Sequence, residues 1–245
     1  PALEYLGWLY NGGGLDLWDE VYGQFNLIGR PMGNTGVQMG GWFNREINTI
    51  DDFKGLKMRI PGLGGDVLAK VGASPVSLPG GQIYENLVSG SIDATEWVGP
   101  WNDYFMKFYE AAKYYYYPGM HEPGGFTAFG LNKSWWESLT ETERTMITAA
   151  ANYEAHLMMA ECNANNGLYL KKLVDEQGVQ LREFSDDVYE SFAQAAIAVF
   201  DETRQHSALA NKIYESFEAS RNQVANWMKL SDISYSLKRN QALGI

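Results

Sequence analysis

The feature that most constrains the fold is a long stretch without proline, residues 141–177. Thr140 and Glu143 form a capping-box pattern at its start, and apolar residues recur along it at broadly helical spacing. Gly167 is its one weak interior position, and Gly178 ends it. At 1.5 Å per residue, an unbroken helix of this length reaches ~50 Å, which exceeds the width of one small domain. The sequence therefore predicts a helix long enough to connect two lobes.

Ahead of this helix, strand and helix patterns alternate. They follow the order β-α-β-α-β over residues 57–60, 66–71, 74–78, 82–89 and 91–95. This alternation predicts an α/β fold whose sheet has mostly parallel strands. Glu96 and Trp97 come directly after the last strand, and open α/β sheets bind ligands at the carboxyl ends of their strands. We therefore expect a ligand site at this edge of the sheet.

Composition argues against several classes of function. The net charge of −11 and the pI of about 4.7 disfavour a nucleic-acid partner, which requires a basic surface, and disfavour an anionic membrane surface. Cys162 is the only cysteine, so an intramolecular disulfide and a cysteine-rich metal site are excluded. The three histidines lack the spacing of a zinc site. The chain begins at Pro1, in a stretch that is typical of mid-helix sequence, and we expect a mature or truncated chain.

Four polar residues stand out as candidates for chemistry. Arg59 lies in an otherwise apolar strand, where a guanidinium requires an anion: either a ligand carboxylate or an internal acid. Gln38, Glu96 and Glu122 each lie at a strand end or turn, and their oxygens suit a hard cation. Each of the three can also be an ordinary surface or cap residue, and the two acids can be the pair of a carbohydrate-acting hydrolase. We interpret His121 as a packing residue, with an orientation toward the Glu122 site as the alternative.

A nicotinamide-dependent enzyme is a third class, and the sequence disfavours it. The glycine-rich loop at residues 62–65 resembles a dinucleotide-binding loop only in part, because Val67 stands where the third glycine belongs. Asp66 would also repel a pyrophosphate at the start of the following helix.

Four long motifs cover residues 33–43, 53–65, 92–100 and 114–124. Together they resemble the solute-binding subunits of TRAP (tripartite ATP-independent periplasmic) transporters, and most closely the branch for 2-oxo acids and related monocarboxylates such as pyruvate or lactate. The resemblance implies an α/β, periplasmic-binding-protein-like fold of two lobes with a long connecting helix. Members of this family begin well before the equivalent of Pro1, so we expect an N-terminally truncated chain whose first lobe is incomplete.

The resemblance also divides the chain into five segments. Residues 1–9 are expected to be a remnant of lobe I, 10–95 to form lobe II, and 96–132 to return to lobe I. Residues 133–178 are expected to form the long lobe-spanning helix. Residues 179–245 are expected to form a strand and C-terminal helices that pack on lobe II or pair two chains in a homodimer.

Site roles follow from the same resemblance. Arg59 takes the place of the arginine that pairs with the substrate carboxylate, and Gln38, Glu96 and Trp97 are expected to contact the substrate as well. A metal ion is expected on Gln38, Glu96, Glu122 and Trp97, the last through its backbone. The charges of Arg59, both acids and a monocarboxylate leave two uncompensated negative charges, which favours Ca²⁺. The resemblance favours Na⁺, and we expect Na⁺ slightly over Ca²⁺.

The expected function is transport without catalysis. The resemblance implies a periplasmic protein that captures a small carboxylate, closes around it and docks on membrane permease subunits. The alternative that the residues leave open is the hydrolase that uses Glu96 and Glu122.

Overall fold

The computed structural model of the chain describes residues 1–244, which form ten α-helices and eight β-strands. The helices are α1 (Ala2–Asn11), α2 (Gly14–Gly23), α3 (Gly62–Lys70), α4 (Ile83–Val88), α5 (Pro100–Met106), α6 (Lys133–Ser138), α7 (Glu141–Asp175), α8 (Asp186–Arg204), α9 (Ala208–Leu230) and α10 (Asp232–Leu243). The strands are β1 (Leu27–Asn34), β2 (Gly41–Phe43), β3 (Lys57–Arg59), β4 (Ser74–Val76), β5 (Ala94–Thr95), β6 (Tyr114–Tyr117), β7 (Phe126–Asn132) and β8 (Gln180–Glu183). Within residues 1–244, no helix is both long and apolar enough to cross a membrane.

Six strands form a mixed sheet in the order β4-β3-β5-β2-β6-β8. The pairs β3–β4 and β3–β5 are parallel, as the β-α-β alternation predicts. The pair β6–β8, which lies outside that alternation, is parallel as well. Strand β2 runs antiparallel to both of its neighbours, β5 and β6. All three residues of β2 are buried, so its apolar pattern does not encode its direction. The other two strands, β1 and β7, pair in a separate two-stranded sheet.

The two faces of the main sheet carry separate aromatic cores. Successive residues of a strand point to opposite faces, and Trp42 and Tyr115 accordingly lie in one core while Phe43 and Tyr116 lie in the other. All four side chains are 0–1% exposed. At about 1.5–3 kcal/mol for each large apolar side chain removed from water, these residues stabilise the sheet strongly and hold the strand ends in place.

The long helix is confirmed as α7, although it is shorter than the segment 133–178. The Thr140 Oγ1 accepts a hydrogen bond from the Glu143 N–H at 3.3 Å, and the Glu143 Oε2 accepts one from the Thr140 N–H at 2.8 Å. This capping box starts a new helix, so residues 133–138 form the separate helix α6. Gly178 has a φ of 67° and follows the helix end, as its position predicts. The last helix, α10, was not predicted separately from α9.

The chain forms two compact units. One consists of residues 31–128 and 146–202, and the other of residues 1–30, 129–145 and 203 to the end of the described chain. The sequence places 10–95 and 96–132 in different lobes, whereas residues 31–128 lie in one unit here. The reason is that β6, which follows Thr95 in the chain, pairs with β2. The chain after Thr95 therefore returns to the same sheet. The assignment of lobes stays a prediction.

Candidate ligand and cation site

Two of the expected site residues are brought together by neighbouring parallel strands. Arg59 is opposite Thr95 in the register of β3 and β5, and Glu96 follows Thr95. The Glu96 N–H donates to the Arg59 carbonyl oxygen at 3.2 Å, and the Arg59 Nη1 donates to the Glu96 Oε1. The side chains are 13% and 3% exposed, respectively. The ends of these two strands thus fix a buried ion pair.

Trp97 borders the same guanidinium. The Cζ of Arg59 lies 5.4 Å from the centroid of the Trp97 ring, within cation–π range, and its Nε donates to the Leu78 carbonyl oxygen at 3.2 Å. The indole lies so close to Gly80 that a Cβ there would be 2.6 Å from it. Among the residues that the structure describes, none accepts a hydrogen bond from the Arg59 Nη2, so that nitrogen retains its donor capacity for a ligand.

His121 belongs to this group, and the interpretation of it as a packing residue alone was wrong. Its Nε2 lies 3.2 Å from the Glu96 Oε2, and its side chain is 4% exposed. Both oxygens of Glu96 therefore have a nitrogen partner, Arg59 on one side and His121 on the other. The position of His121 directly before Glu122 was the sequence signal that indicated a place in the site.

Gln38 and Glu122 form the second part of the site. The Gln38 Nε2 donates to the Glu122 Oε2 at 2.6 Å and lies 3.2 Å from the Thr35 Oγ1. The Gln38 N–H also donates to the Glu122 carbonyl oxygen at 3.2 Å. A Cβ at Gly125 would lie 2.6 Å from the Gln38 Nε2 and 2.9 Å from the Glu122 Oε2. The absence of a side chain at Gly125 is therefore what lets these two side chains meet.

Electrostatic interactions connect the Arg59–Glu96 pair with the Gln38–Glu122 pair. Burial raises the pKa of the Glu122 carboxyl above its ordinary value, and the charge of Glu96 raises this pKa further. His121, the hydrogen bond from Gln38 and the charge of Arg59 act in the opposite direction. Two partly or fully buried carboxylates that repel each other are stabilised by a positive charge, which makes this a suitable place for a cation.

The residues fit a hard cation bound by mixed oxygen ligands. The Gln38 Oε1 is buried and accepts no hydrogen bond within residues 1–244, and an orphaned buried acceptor is costly unless a donor or a cation meets it. In the described part of the chain, no group of three or more His, Cys, Asp or Glu side chains is arranged so that it could hold a metal ion. A cation here would therefore need the Gln38 amide oxygen and a backbone oxygen in addition to carboxylates.

Asp103, in α5, is a buried acid that the sequence reasoning missed. It is 1% exposed, and burial raises the pKa of its carboxyl to about 6. Four donors surround it: the Trp42 Nε1, the Tyr115 hydroxyl, and the backbone N–H groups of Val98 and Gly99. The sequence carried one signal for it, because Gly99-Pro100 favours a helix start and an acid in the following turn favours backbone capping.

Comparisons with known proteins identify a matching family and similar chains. The profile of the DctP family, described as bacterial extracellular solute-binding protein, family 7, matches residues 4–206. The monocarboxylate 2-oxoacid-binding periplasmic protein of Nostoc sp. is 40% identical over 235 residues. That alignment covers 96% of this chain and 64% of the Nostoc protein, so the chain spans less than two thirds of that relative.

Two solved structures are similar at the level of the whole chain. A TRAP periplasmic solute-binding protein from Colwellia psychrerythraea, with bound calcium and pyruvate, has a TM-score of 0.92 and 40% identity, over 97% of this chain and 72% of that one. One from Pseudoalteromonas atlantica, with bound sodium and pyruvate, has a TM-score of 0.89 and 40% identity, over 95% and 71%. Both confirm the α/β fold class.

Proposed function

The chain belongs to the DctP family of bacterial extracellular solute-binding proteins, family 7, and from this premise we propose that it captures a small monocarboxylate for a TRAP transporter. The ligand is a 2-oxo acid such as pyruvate or a 2-hydroxy acid such as lactate. The 40% identity to relatives whose structures hold pyruvate supports this ligand class. The protein then delivers the ligand to membrane permease subunits.

The observation that carries the proposal is the position of Arg59. Its guanidinium is largely buried, lies against the Trp97 ring and has an Nη2 without a hydrogen-bond acceptor among residues 1–244. A buried fork of this kind recognises a carboxylate with strong, directional hydrogen bonds. We assign Arg59 to the ligand carboxylate, and Gln38, Glu96 and Trp97 to further contacts with the ligand.

A bound cation completes the site. The side-chain oxygens of Gln38, Glu96 and Glu122 and the backbone oxygen of Trp97 would hold it, and it would supply positive charge to the oxygens of the ligand. The orphaned Gln38 Oε1 supports this assignment. We propose Na⁺ ahead of Ca²⁺, from the resemblance to the 2-oxo acid branch. The count of charges favours Ca²⁺, so the measurement below compares the two ions.

Pyruvate calorimetry in saturating NaCl and in saturating CaCl₂ tests the assignment of Arg59. Arg59→Ala removes the guanidinium that pairs with the ligand, and we expect pyruvate affinity to fall at least 100-fold, as the loss of a buried, charge-assisted pair implies. Arg45→Ala is the matched control, since the Arg45 guanidinium is exposed and, within residues 1–244, donates only to the Asp52 carbonyl oxygen. Unchanged affinity in a folded Arg59→Ala protein contradicts the proposal.

The same titrations in NaCl, CaCl₂ and choline chloride identify the cation. Binding that requires Na⁺ supports the preferred ion, and binding that requires Ca²⁺ supports the other. Equal affinity in choline chloride after chelation would contradict a cation in the site.

The hydrolase alternative has no support. The family is a solute-binding component of transport, and we propose that this chain has no catalytic role.

Location and assembly follow from the family. We propose that the protein works in the periplasm, and that residues 1–9 and 96–132 belong to lobe I, 10–95 to lobe II, and 133–178 to the connecting helical segment. For residues 179–245 we propose packing on lobe II or on a second copy of the chain. Nucleic acid is not among the proposed partners.

A further inference from the structure

Asp103 is a buried carboxylate whose role in the proposed function is not yet assigned. Within residues 1–244 it forms no ion pair, because all of its partners are neutral donors. The Oδ2 accepts from the Trp42 Nε1 at 2.9 Å and from the Tyr115 hydroxyl at 2.8 Å. The Oδ1 accepts from the Val98 N–H at 3.1 Å and from the Gly99 N–H at 3.0 Å. A full negative charge at this depth is costly without a cation nearby.

The bond to the Val98 N–H fixes the direction of a carbonyl group. Val98 N–H and Trp97 C=O belong to one planar peptide unit, and this unit is trans, since the one cis bond in the described chain precedes Pro118. In a trans peptide the N–H and the C=O point in opposite directions. The Trp97 carbonyl oxygen therefore points away from Asp103, and it accepts no hydrogen bond from residues 1–244.

The neighbouring peptides are fixed too. The Val98 carbonyl oxygen accepts from the Met39 N–H at 3.0 Å, next to Gln38. The Glu96 N–H donates to the Arg59 carbonyl oxygen, and the Glu96 carbonyl oxygen accepts from the Thr95 hydroxyl at 2.8 Å. Of the three backbone carbonyl oxygens in residues 96–98, the one of Trp97 is thus left for an external partner.

We propose that Asp103 is a positioning residue for the bound cation: it orients and polarises the Trp97–Val98 peptide so that the Trp97 carbonyl oxygen binds the ion. The inference rests on the proposed function, which assigns this carbonyl to the cation. A carboxylate that accepts from a peptide N–H increases the negative charge on the carbonyl oxygen of the same peptide. The negative charge of the Asp103 carboxylate also attracts the ion, with the Trp97–Val98 peptide between them.

This role adds a second reason for a carboxylate at position 103. The first is that a carboxylate offers an acceptor oxygen to each pair of donors, whereas an amide has one acceptor oxygen and an NH₂ group that only donates. The buried charge that comes with the second oxygen is stabilised by a positive ion nearby. Hydrogen-bonded partners of metal ligands change metal affinity typically 10–100-fold when they are replaced.

The test compares Asp103→Asn with Tyr115→Phe. Asp103→Asn removes the charge, while Tyr115→Phe removes one donor to the Oδ2 and leaves the charge and both backbone bonds. Each protein is stripped of metal by chelation and titrated with CaCl₂ and with NaCl at saturating pyruvate, and then with pyruvate at saturating cation. Thermal unfolding of each variant identifies a temperature at which both are folded.

We expect the cation affinity of Asp103→Asn to fall about tenfold or more, and that of Tyr115→Phe to change by less than twofold. An equal effect in the two folded variants would overturn the proposal, because a purely structural role predicts it. If wild-type protein binds no pyruvate, or binds it without a cation, the proposed function fails instead, so the two failures are distinguishable.

A second background keeps the test decisive if Asp103→Asn does not fold. The Trp42 Nε1 is a donor only, so the NH₂ group of an amide at position 103 cannot replace the acceptor that Trp42 requires. In a Trp42→Phe background this conflict is removed. The same tenfold loss is expected when Asp103→Asn is added to that background, and its absence there would equally overturn the proposal.

Discussion

At the residue scale, the two carboxylates of the site differ in their partners. Glu96 is held by Arg59 and His121, whereas Glu122 is held by Gln38 and carries a raised pKa. The repulsion between these acids favours a cation in the site, and the Arg59 Nη2, which has no acceptor among residues 1–244, favours an anion. The proposed monocarboxylate and metal ion have these two charges.

The titration of Asp103 predicts how the free energy of unfolding changes with pH. Its carboxyl pKa is about 6 in the folded protein and has an ordinary value of 3.8, so the folded state binds the proton more tightly. Stability therefore rises as the pH falls from about 6 to about 4, by roughly 3 kcal/mol at 1.36 kcal/mol per pH unit. Asp103→Asn lacks this titration. Urea unfolding of both proteins across pH 4–7.5 measures the difference, and a difference independent of pH would refute this pKa.

The sequence predicted Arg59, Gln38, Glu96, Trp97 and Glu122 as site residues through a resemblance, and the structure brings them into one unit. Their roles stay proposals until a ligand is measured. His121 and Asp103 were harder to predict because their roles depend on contacts across the fold. The carboxylate of Asp103 meets Trp42 and Tyr115 from two different strands, and a sequence pattern does not record such pairs.

At the scale of elements, the long helix α7 was predictable because its signals are local: a capping box, helical spacing and a terminal glycine. The antiparallel direction of β2 was not, since a fully buried strand has the same apolar pattern in either direction. The separation of α6 from α7 depends on Thr140 and Glu143, which were recognised as a cap and still placed within one helical segment.

Gly167 and Gly178 provide a matched pair of glycines at this scale. Gly167 lies inside α7, and a Cβ there would meet nothing within 4 Å. We expect Gly167→Ala to raise the free energy of unfolding by about 0.5–1 kcal/mol, because alanine restricts the unfolded chain and favours a helix.

Gly178 is the control for this prediction. Its site is equally open, but its φ is 67°, so Gly178→Ala is expected to lower the free energy of unfolding by about 1 kcal/mol. Urea unfolding measures both variants. Stabilisation by Gly178→Ala, or destabilisation by Gly167→Ala, would contradict the assignment of the helix and its end.

At the scale of the whole molecule, α9 and α10 expose many large apolar side chains. Trp227, Leu230, Tyr235 and Leu237 are 66–74% exposed, and α10 buries none of its residues among the described ones. Apolar surface of this extent favours association. We expect a dimer through these helices in sedimentation-velocity experiments.

Charged substitutions on the exposed surface of α9 and α10 test whether the dimer forms through these helices. Leu230→Glu combined with Leu237→Glu is expected to weaken self-association at least tenfold, because the interface would have to bury two carboxylates from each chain. Leu168→Glu, at an exposed leucine of α7, is the control and is expected to leave association unchanged. A monomeric wild-type protein, or equal effects of both changes, would contradict pairing through the C-terminal helices.

The most direct measurement is a crystal structure of the protein grown with pyruvate and either CaCl₂ or NaCl. The account predicts that the pyruvate carboxylate is bonded to the Arg59 guanidinium. It also predicts that the cation is bonded to Gln38, Glu96, the Trp97 carbonyl oxygen and Glu122, with the ligand bridging the ion and Arg59. Pyruvate bound away from Arg59, or a cation held by other residues, would contradict the account.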